Sequence, residues 1–324
     1  MGRHRDEAFL VPFVARSALS EIERPVLAVS GGLDSMVLLH AVASLDLPDV
    51  APIVATFDHR TGPAAAEAVA LVAGAALEAG IECVTGMASS SGITEEEWRR
   101  ARWQFLREVA VRTGGTIVTA HTMDDQIETI FIRILREAGP RGLAGLFAES
   151  DVVRPFIEIP REMLLRYAER NDVAYAIDPT NESRRYLRNR VRHDLLPSIE
   201  KVHPRFSREL IEISRRSAEW RRAMDSLLAA IDASEGPDGS LCVKRESLAG
   251  YDAESLRVLW PALAAKANVV MDRRGTHRAA EFTMKGNTGH AIQLSGRFEI
   301  VMHRDHMLLR RWSTPNLPSH WNPS

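Results

Sequence analysis

Short β-like runs alternate strictly with helical patterns over the first half of the chain, and this alternation restricts the fold more than any other feature. The predicted strands and helices follow one another in the sequence, with strands at 26–29, 53–57, 81–84, 116–120 and 151–154, and helices at 35–44, 65–79, 95–111, 124–137 and from about Pro160 onward. Strict alternation predicts an α/β fold, in which a parallel sheet carries helices on both faces. Ligands of such sheets bind beyond the carboxyl ends of the strands, so the segments after each strand are the candidates for function.

The pattern changes after Pro197. Residues 204–231 predict one long helix, residues 234–240 a turn, and residues 241–311 a small α+β module. We therefore expect four regions along the chain: a first domain at 1–200, a basic linker helix at 201–233, a small α+β domain at 240–312 and a loose tail at 313–324.

Charge and cysteine content exclude several classes of protein. The 324 residues carry 41 basic and 43 acidic side chains, a formal charge of −2, so any basic surface must be local. Cys83 and Cys242 are far apart in sequence, which excludes a disulfide framework, a zinc spacing and a CxxC pair. The chain's first residues are interrupted by Asp6, Glu7 and Pro12, unlike a signal peptide, and no apolar run approaches the roughly 18 residues that span a bilayer. These features predict a cytoplasmic protein without a membrane partner.

A glycine-containing loop follows the first predicted strand. The run is Ser30-Gly31-Gly32-Leu33-Asp34-Ser35. Two glycines let the backbone approach a ligand closely, and the free amides of the next helix form an anion nest, so the run predicts a phosphate cradle. It is neither a GxxxxGK[ST] loop nor a GxGxxG turn. The alternative is a tight strand-to-helix turn in which Ser30 or Asp34 only caps the helix.

A cluster of acids follows the fourth predicted strand, in the run His121-Thr122-Met123-Asp124-Asp125-Gln126-Ile127-Glu128-Thr129. Spacings of three and four residues let His121, Asp124 or Asp125, and Glu128 share one side of the first two helical turns. The alternative is that first-turn acids merely interact favourably with the helix macrodipole.

These two runs resemble motifs of a known family. The first is similar to the PP-loop of the ATP pyrophosphatase superfamily, and the second resembles, residue for residue, the HxxDDxxET motif of the tRNA(Ile)-lysidine synthase family. Further similarities occur in family order: residues 97–103, Arg136 with 142–146, Arg154-Pro155, and 178–181 with 188–192. The resemblance covers about residues 25–197 and implies a PP-loop, adenine nucleotide alpha hydrolase-like fold in the first domain.

The resemblance also implies an activity. Members of the family use ATP to ligate free L-lysine to C2 of the cytidine at the first anticodon position of a minor isoleucine tRNA with a CAU anticodon. An adenylated base is the intermediate, and AMP and pyrophosphate are released. ATP and Mg²⁺ are the implied cofactors, and the small α+β domain is expected to bind tRNA. A homodimer is left open.

Site residues are carried over onto matching positions of this sequence. The expected catalytic residues are Asp34, His121, Asp124, Asp125 and Glu128, with Asp34 and Asp125 also expected at the metal. The expected nucleotide-binding residues are Ser30, Gly31, Gly32, Leu33, Asp34, Ser35 and His59. The expected substrate-binding residues are Arg99, Arg102, Arg188, Asn189 and Arg192. His121 or one of the two aspartates would accept the lysine proton, and the sequence does not choose between them.

Three positions depart from the family pattern. The loop at 58–63 is shorter than usual, which places the role of Arg60 in question. Glu137 stands where the family has glycine, and Thr180 replaces serine.

Basic side chains are concentrated between residues 184 and 222, where twelve Arg and Lys face five Asp and Glu. A solvated helix face would explain this excess, but its place after the first domain favours a track for RNA phosphates. We expect Arg215, Arg216, Arg221 and Arg222 to contact tRNA.

Two other functions fit parts of the pattern. Another PP-loop enzyme could deliver sulfur to tRNA as a 2-thiolase, but neither Cys83 nor Cys242 has the setting of a persulfide or cluster cysteine. A nonenzymatic tRNA-binding module would bind tRNA without releasing pyrophosphate.

Overall fold

The computed structural model describes residues 3–60, 62–88, 95–177, 183–236 and 238–312. It divides into two compact units, Met1–Ala218 and Glu219–Ser324. The division falls within the predicted linker helix, and the predicted loose tail lies outside the described residues. The four-region division therefore stays a prediction.

A five-stranded parallel sheet forms the centre of the first unit. Its strands are β1 (Pro25–Ala28), β2 (Ile53–Asp58), β3 (Glu82–Met87), β4 (Thr116–Thr119) and β5 (Val152–Val153). They lie in the order β3-β2-β1-β4-β5 with parallel pairing throughout, which confirms the predicted α/β fold. The chain adds β2 and β3 on one side of β1 and then β4 on the other, so the topological switch lies between β1 and β4.

Helices cover both faces of this sheet. The helices described between residues 3 and 229 are α1 (Arg3–Leu19), α2 (Leu33–Ala43), α3 (Pro63–Glu78), α4 (Glu95–Thr113), α5 (Met123–Leu135), α6 (Arg161–Arg170), α7 (Leu187–Arg190), α8 (Leu196–Val202) and α9 (Phe206–Ala229). Along β1, Leu27 packs into the core shared with α1, α2, α3 and α6, and Val26 packs with α4. Because successive strand residues point to opposite faces, both faces are buried. The sequence analysis did not predict α1.

Two short irregular turns lie beside α5: a 3₁₀ turn at Gly142–Phe147 and a π-type turn at Val191–Leu195. Residues of α5 and α9 share an apolar cluster with Val191 and Leu196. The segment that carries the acids of α5 is therefore packed on its rear side by α9.

The second unit is a small α+β module, as expected. It contains β6 (Ala233–Glu235), β7 (Leu241–Lys244), α10 (Ala253–Lys266), α11 (Arg273–Lys285), β8 (Ala291–Leu294), β9 (Phe298–Met302) and β10 (His306–Arg311). The strands form an antiparallel sheet in the order β6-β7-β10-β9-β8. Trp260 is fully buried and donates from Nε1 to Thr283 Oγ1 at 2.7 Å. The sequence analysis predicted neither β6 nor α11.

Among the described residues, no helix combines the length and apolar character needed to cross a membrane.

Candidate functional site

The loop after β1 has the construction of an anion cradle. Ser35 Oγ donates to the Gly32 carbonyl at 2.9 Å and accepts from the Ser30 amide at 3.1 Å. Gly31 has φ +87°, and a Cβ there would lie 2.9 Å from Ala68 Cβ, so a side chain does not fit. Gly32 is the N-cap of α2 and offers no side-chain cap, which leaves first-turn amides available to an anionic ligand.

Leu33 and Asp34 of the same loop lie in different surroundings. Leu33 is buried in the apolar core. Asp34 Oδ1 is buried and accepts no hydrogen bond from any described residue, although Arg161 Nε lies 3.2 Å away. Burial raises the pKa of Asp34, and the nearby Arg161 guanidinium only partly offsets this effect.

Arg161 connects the loop after β1 with the helix after β4. Its Nε lies 3.2 Å from the Asp34 carboxylate, and its backbone amide donates to Asp124 Oδ2 at 2.7 Å. The two predicted motifs therefore meet at the carboxyl ends of the neighbouring strands β1 and β4. The sequence analysis missed Arg161, although its position in the first helical turn after β5 was a signal for this edge of the sheet.

Asp125 contributes to the start of α5 as well as to the site. Thr122 and Asp125 form a capping box, in which Asp125 Oδ2 accepts from the Thr122 amide at 2.9 Å. Burial alone would raise the pKa of Asp125, but Arg188 and the Thr122 amide outweigh it, so this pKa lies below its ordinary value. Asp125 therefore stabilises the start of α5 by capping it, in addition to the macrodipole interaction expected of a first-turn acid.

Two arginines from the segment after α6 pair with Asp125 and Glu128 of α5. Arg188 donates from Nε to Glu128 Oε2 at 2.7 Å and from Nη2 to Asp125 Oδ1 at 2.8 Å. Arg192 donates to both oxygens of Glu128, at 2.5 and 3.1 Å. The Glu128 side chain is only 3% exposed. Burial at this level requires such pairing, because an isolated carboxylate would be strongly destabilised.

His121 is a partly buried imidazole whose surroundings favour the neutral form. Its Nδ1 lies 2.7 Å from Thr119 Oγ1. Burial lowers the pKa of His121 to about 4, with Asp125 opposing and Arg154, Arg188 and Arg102 reinforcing the shift. Its other ring nitrogen, Nε2, has no hydrogen bond to any described residue.

Arg99 and Arg102 of α4 form a positively charged surface near these acids, here called the positive wall. Arg102 on α4 is largely buried, and burial lowers its pKa, with further lowering from Arg99 and Arg188. Within the part of the chain that the structure describes, Arg102 and Arg99 have no carboxylate partner. His59 Nδ1 and Trp98 Nε1 are buried and make no hydrogen bond with any described residue, and their rings lie 6.2 Å apart. A buried guanidinium without a counterion favours an anionic ligand.

The donor groups fit a magnesium ion held by few protein ligands. No set of three or more His, Cys, Asp or Glu among the described residues could bind a metal by itself. Mg²⁺ typically uses one or two carboxylates together with substrate phosphates. Asp34 Oδ1, which accepts no hydrogen bond from a described residue, suits that role. Asp125, the second predicted metal residue, already binds Arg188 and Thr122 through its two oxygens.

Other predicted residues lie elsewhere or have structural contacts. Asn189 is buried and donates to the Ser183 carbonyl at 2.9 Å. Arg215 on α9 pairs with Glu158 at 2.8 Å, and Arg221 lies 3.8 Å from Asp225. Arg216 and Arg222 are exposed and have no ion pair with any described residue. The motif residues at 178–182 lie outside the described residues.

Comparison with known proteins covers the whole of this site. Residues 8–199 match the family model described as the PP-loop domain. A tRNA(Ile)-lysidine synthase from Methylobacterium sp. (strain 4-46) is 34% identical over 252 residues, which are 74% of this chain and 73% of that protein. One from Thermosipho africanus (strain TCF52B) is 29% identical over 63% of this chain and 50% of that protein. The chain thus spans about three quarters of the first relative and half of the second.

A solved structure supports the fold. The U34-tRNA thiolase NcsA from Methanococcus maripaludis, solved with its [4Fe-4S] cluster, aligns with a TM-score of 0.56. The alignment covers 66% of this chain and 80% of that chain at 16% sequence identity. At this identity the likeness concerns the architecture of the chain and not its chemistry.

Proposed function

Because this chain belongs to the tRNA(Ile)-lysidine synthase family of PP-loop proteins, we propose that it ligates free L-lysine to a tRNA cytidine with ATP. The target is C2 of the cytidine at the first anticodon position of a minor isoleucine tRNA with a CAU anticodon. One observation carries this proposal: the loop after β1 and the acidic helix after β4 meet across the topological switch of the sheet. A nucleotide bound there lies beside both motifs.

The chemistry consists of two substitutions. First, cytidine O2 attacks the α-phosphorus of ATP, and pyrophosphate leaves. Second, the neutral ε-amine of lysine attacks C2 and loses a proton, and AMP leaves with the former O2. Adenylation is needed because the carbonyl oxygen alone is a very poor leaving group.

ATP binding is assigned to the loop at residues 30–35 and to the positive wall. The loop amides bind the pyrophosphate end of ATP. Arg102, which has no carboxylate partner among the described residues, supplies positive charge to the phosphates. His59, at the end of β2, offers an unpaired ring nitrogen to the nucleotide. Asp34 would hold a Mg²⁺ ion, which neutralises phosphate charge when it is bound.

Lysine binding requires a carboxylate oxygen that is not already paired. Asp125 and Glu128 are occupied by Arg188 and Arg192. Among the hydrogen bonds between described residues, Asp124 uses only Oδ2, which accepts from the Arg161 amide. We assign the first contact with the lysine ammonium to Asp124. The two paired acids hold the arginines in place for the anionic substrates.

His121 is assigned as the acceptor of the lysine proton. It is neutral, and Thr119 engages only Nδ1, which leaves Nε2 for the reacting amine. The phosphates of a bound nucleotide would raise its pKa from about 4 toward neutrality. A base whose pKa lies near the operating pH transfers protons efficiently.

One assay tests the proposal. The protein is incubated with Mg²⁺, ATP, labelled lysine and two tRNA transcripts that differ only at the first anticodon base. We expect label transfer only to the transcript with cytidine, with one AMP formed per lysine transferred. Transfer to both transcripts, or pyrophosphate release without transfer, would contradict the proposal. No observation favours the 2-thiolase alternative, since Cys83 and Cys242 belong to different compact units.

A further inference from the structure

Gln126 lies within the acidic motif, but it makes no hydrogen bond with Arg188 or Arg192, the partners of the acids. It is fully buried on α5, directly after Asp125. Its Nε2 donates to the Ala144 carbonyl at 3.0 Å and to Ser214 Oγ, and its Oε1 accepts from the Leu146 amide at 2.6 Å. Both amide hydrogens and the amide oxygen are therefore used.

Three separate segments meet at this amide. Ala144 and Leu146 belong to the turn at Gly142–Phe147, and Ser214 belongs to α9. Ser214 is also fully buried, and its Oγ donates to the Ala144 carbonyl at 3.0 Å, which closes the network. Every polar group in it has a partner, the condition under which a buried network rigidifies its surroundings.

The turn is shaped to receive the Gln126 side chain. Gly145 has φ +60° and ψ −130°, and a Cβ at this position would lie 2.7 Å from both Gln126 Nε2 and Oε1. A side chain at residue 145 would therefore displace the amide. This contact explains why residue 145 of the 142–146 run is a glycine.

The position of Gln126 on the helix gives the network its effect. At about 100° of rotation per residue, Gln126 lies roughly opposite Glu128 around the helix axis. An anchor on the rear side fixes the rotation of α5, which determines where Asp125 and Glu128 point. Those acids hold Arg188 and Arg192, so a small rotation would displace all four charged groups.

We propose that Gln126 is a positioning residue for the ligation reaction: by bonding α5 to the 142–147 turn and to Ser214 of α9, it sets the orientation of Asp125 and Glu128. This inference rests on the proposed function for its kinetic consequence. Its structural part, the anchoring of α5, holds independently of the substrate. Neither Gln126 nor Ser214 touches a reacting atom.

Ser214→Ala is the first test variant, because it removes one hydroxyl and leaves the bonds from Gln126 to Ala144 and Leu146. Gln126→Met is the second and removes all three hydrogen bonds of the amide, leaving only the bond from Ser214 to Ala144. Ser226→Ala, at an exposed position of the same helix α9, is the matched control. Each full-length variant is compared with the wild type by its melting temperature, its kinetics with tRNA, ATP and lysine, and its amide hydrogen exchange.

For Ser214→Ala we expect kcat/KM for lysine to fall about tenfold while the KM for ATP stays within about twofold. Exchange should become faster in peptides that cover 123–135 and 142–147, at temperatures well below melting. A lower melting temperature with wild-type kinetics would mean a purely structural role and would overturn the proposal, as would unchanged exchange. If Gln126→Met fails to fold, Ser214→Ala decides.

Failure of the proposed function gives a different result. A wild-type protein that never transfers lysine would refute the ligation. The exchange measurement needs no substrate, so it would still decide whether Gln126 and Ser214 anchor α5.

Discussion

Arg192 Nε donates to Glu128 Oε1 at 2.5 Å, and this bond joins the helix after β4 to the turn that follows α7. Glu128 accepts from Arg188 as well, so one buried carboxylate orders two guanidinium groups. The acids of the motif therefore place arginines at the edge of the sheet where an anionic nucleotide is expected. We therefore propose that these acids serve a site for anions by holding Arg188 and Arg192 in place.

We predict that Glu128→Gln lowers both stability and activity. The change removes the most buried counter-charge of Arg188 and Arg192 and leaves Asp125 as their remaining carboxylate partner. Removal of one partner from a buried pair costs about 3 kcal/mol, somewhat less here because the arginines are partly exposed and keep Asp125. Displaced arginines should reduce lysine transfer about 100-fold. Urea unfolding and the transfer assay measure the two effects.

Glu162→Gln is the matched control for this prediction. Glu162 pairs with Arg166 on the surface of α6, where the side chains are 71% and 50% exposed. Surface pairs of this kind contribute within about 1 kcal/mol. Equal losses of stability in the two variants would show that the buried ion pairs of Glu128 stabilise the fold no more than an exposed pair does.

His121 should make stability depend on pH. Its pKa is about 4 in the folded chain against an ordinary 6.5, so between these values the unfolded chain binds a proton that the folded chain does not. The free energy of unfolding therefore falls as the pH falls from 6.5 toward 4. Between pH 7 and pH 5 the loss attributable to His121 should be about 2 kcal/mol.

Denaturant unfolding of His121→Gln at both pH values tests this dependence. The difference between pH 7 and pH 5 should be about 2 kcal/mol smaller in the variant than in the wild type. His290→Gln, at an exposed position of the second unit, serves as the control. An identical pH difference in wild type and His121→Gln would contradict the assignment of a partly buried, neutral imidazole.

Asp34→Asn should raise the Mg²⁺ concentration needed for pyrophosphate release. The amide keeps the shape of the side chain but removes the charge that attracts a hard cation, so half-saturation should rise about tenfold or more. Asp49→Asn, an exposed substitution outside the site, should leave the Mg²⁺ dependence unchanged. An unaltered Mg²⁺ titration for Asp34→Asn would remove Asp34 from the metal site.

Much of the first unit could be predicted because its signals are local. The alternation of patterns predicted each strand of the parallel sheet to within a few residues, and the relatives confirm the family predicted from the motifs. Strands buried on both faces show as short apolar runs, and the loop after β1 shows its glycines directly.

The missing parts depend on contacts between distant segments. Nothing near Arg161 in sequence indicates that its side chain meets Asp34, 127 positions away. The pairing of Arg188 with Glu128 spans 60 positions. Because Arg188 also pairs with Asp125, these two acids are not free, as the sequence had suggested they were, to bind a substrate or metal directly. Helix α11 was missed because its residues are strongly polar and only one face is buried, against α10 and the sheet of the second unit.

Glu137 offers a test of a departure from the family pattern. It has φ +55°, the left-handed conformation that glycine adopts without strain, and it follows the C-cap of α5. Glu137→Gly should therefore raise the free energy of unfolding by about 0.5–1 kcal/mol. Glu149→Gly, at another exposed position outside the left-handed region, should lower it; a loss of stability in both variants would contradict the strain argument.

Charge reversal on α9 tests where tRNA phosphates bind. Arg216 and Arg222 are exposed and unpaired among the described residues, whereas Arg215 already pairs with Glu158. Arg216→Glu and Arg222→Glu should each weaken tRNA binding and reduce the slope of log K against log salt by about 1, because each removed phosphate contact releases fewer counterions. ATP binding should be unaffected. Arg170→Glu, at the end of α6, is the matched exposed control; if it changes the salt slope as much as the α9 variants do, the effect comes from net charge and α9 is not the track.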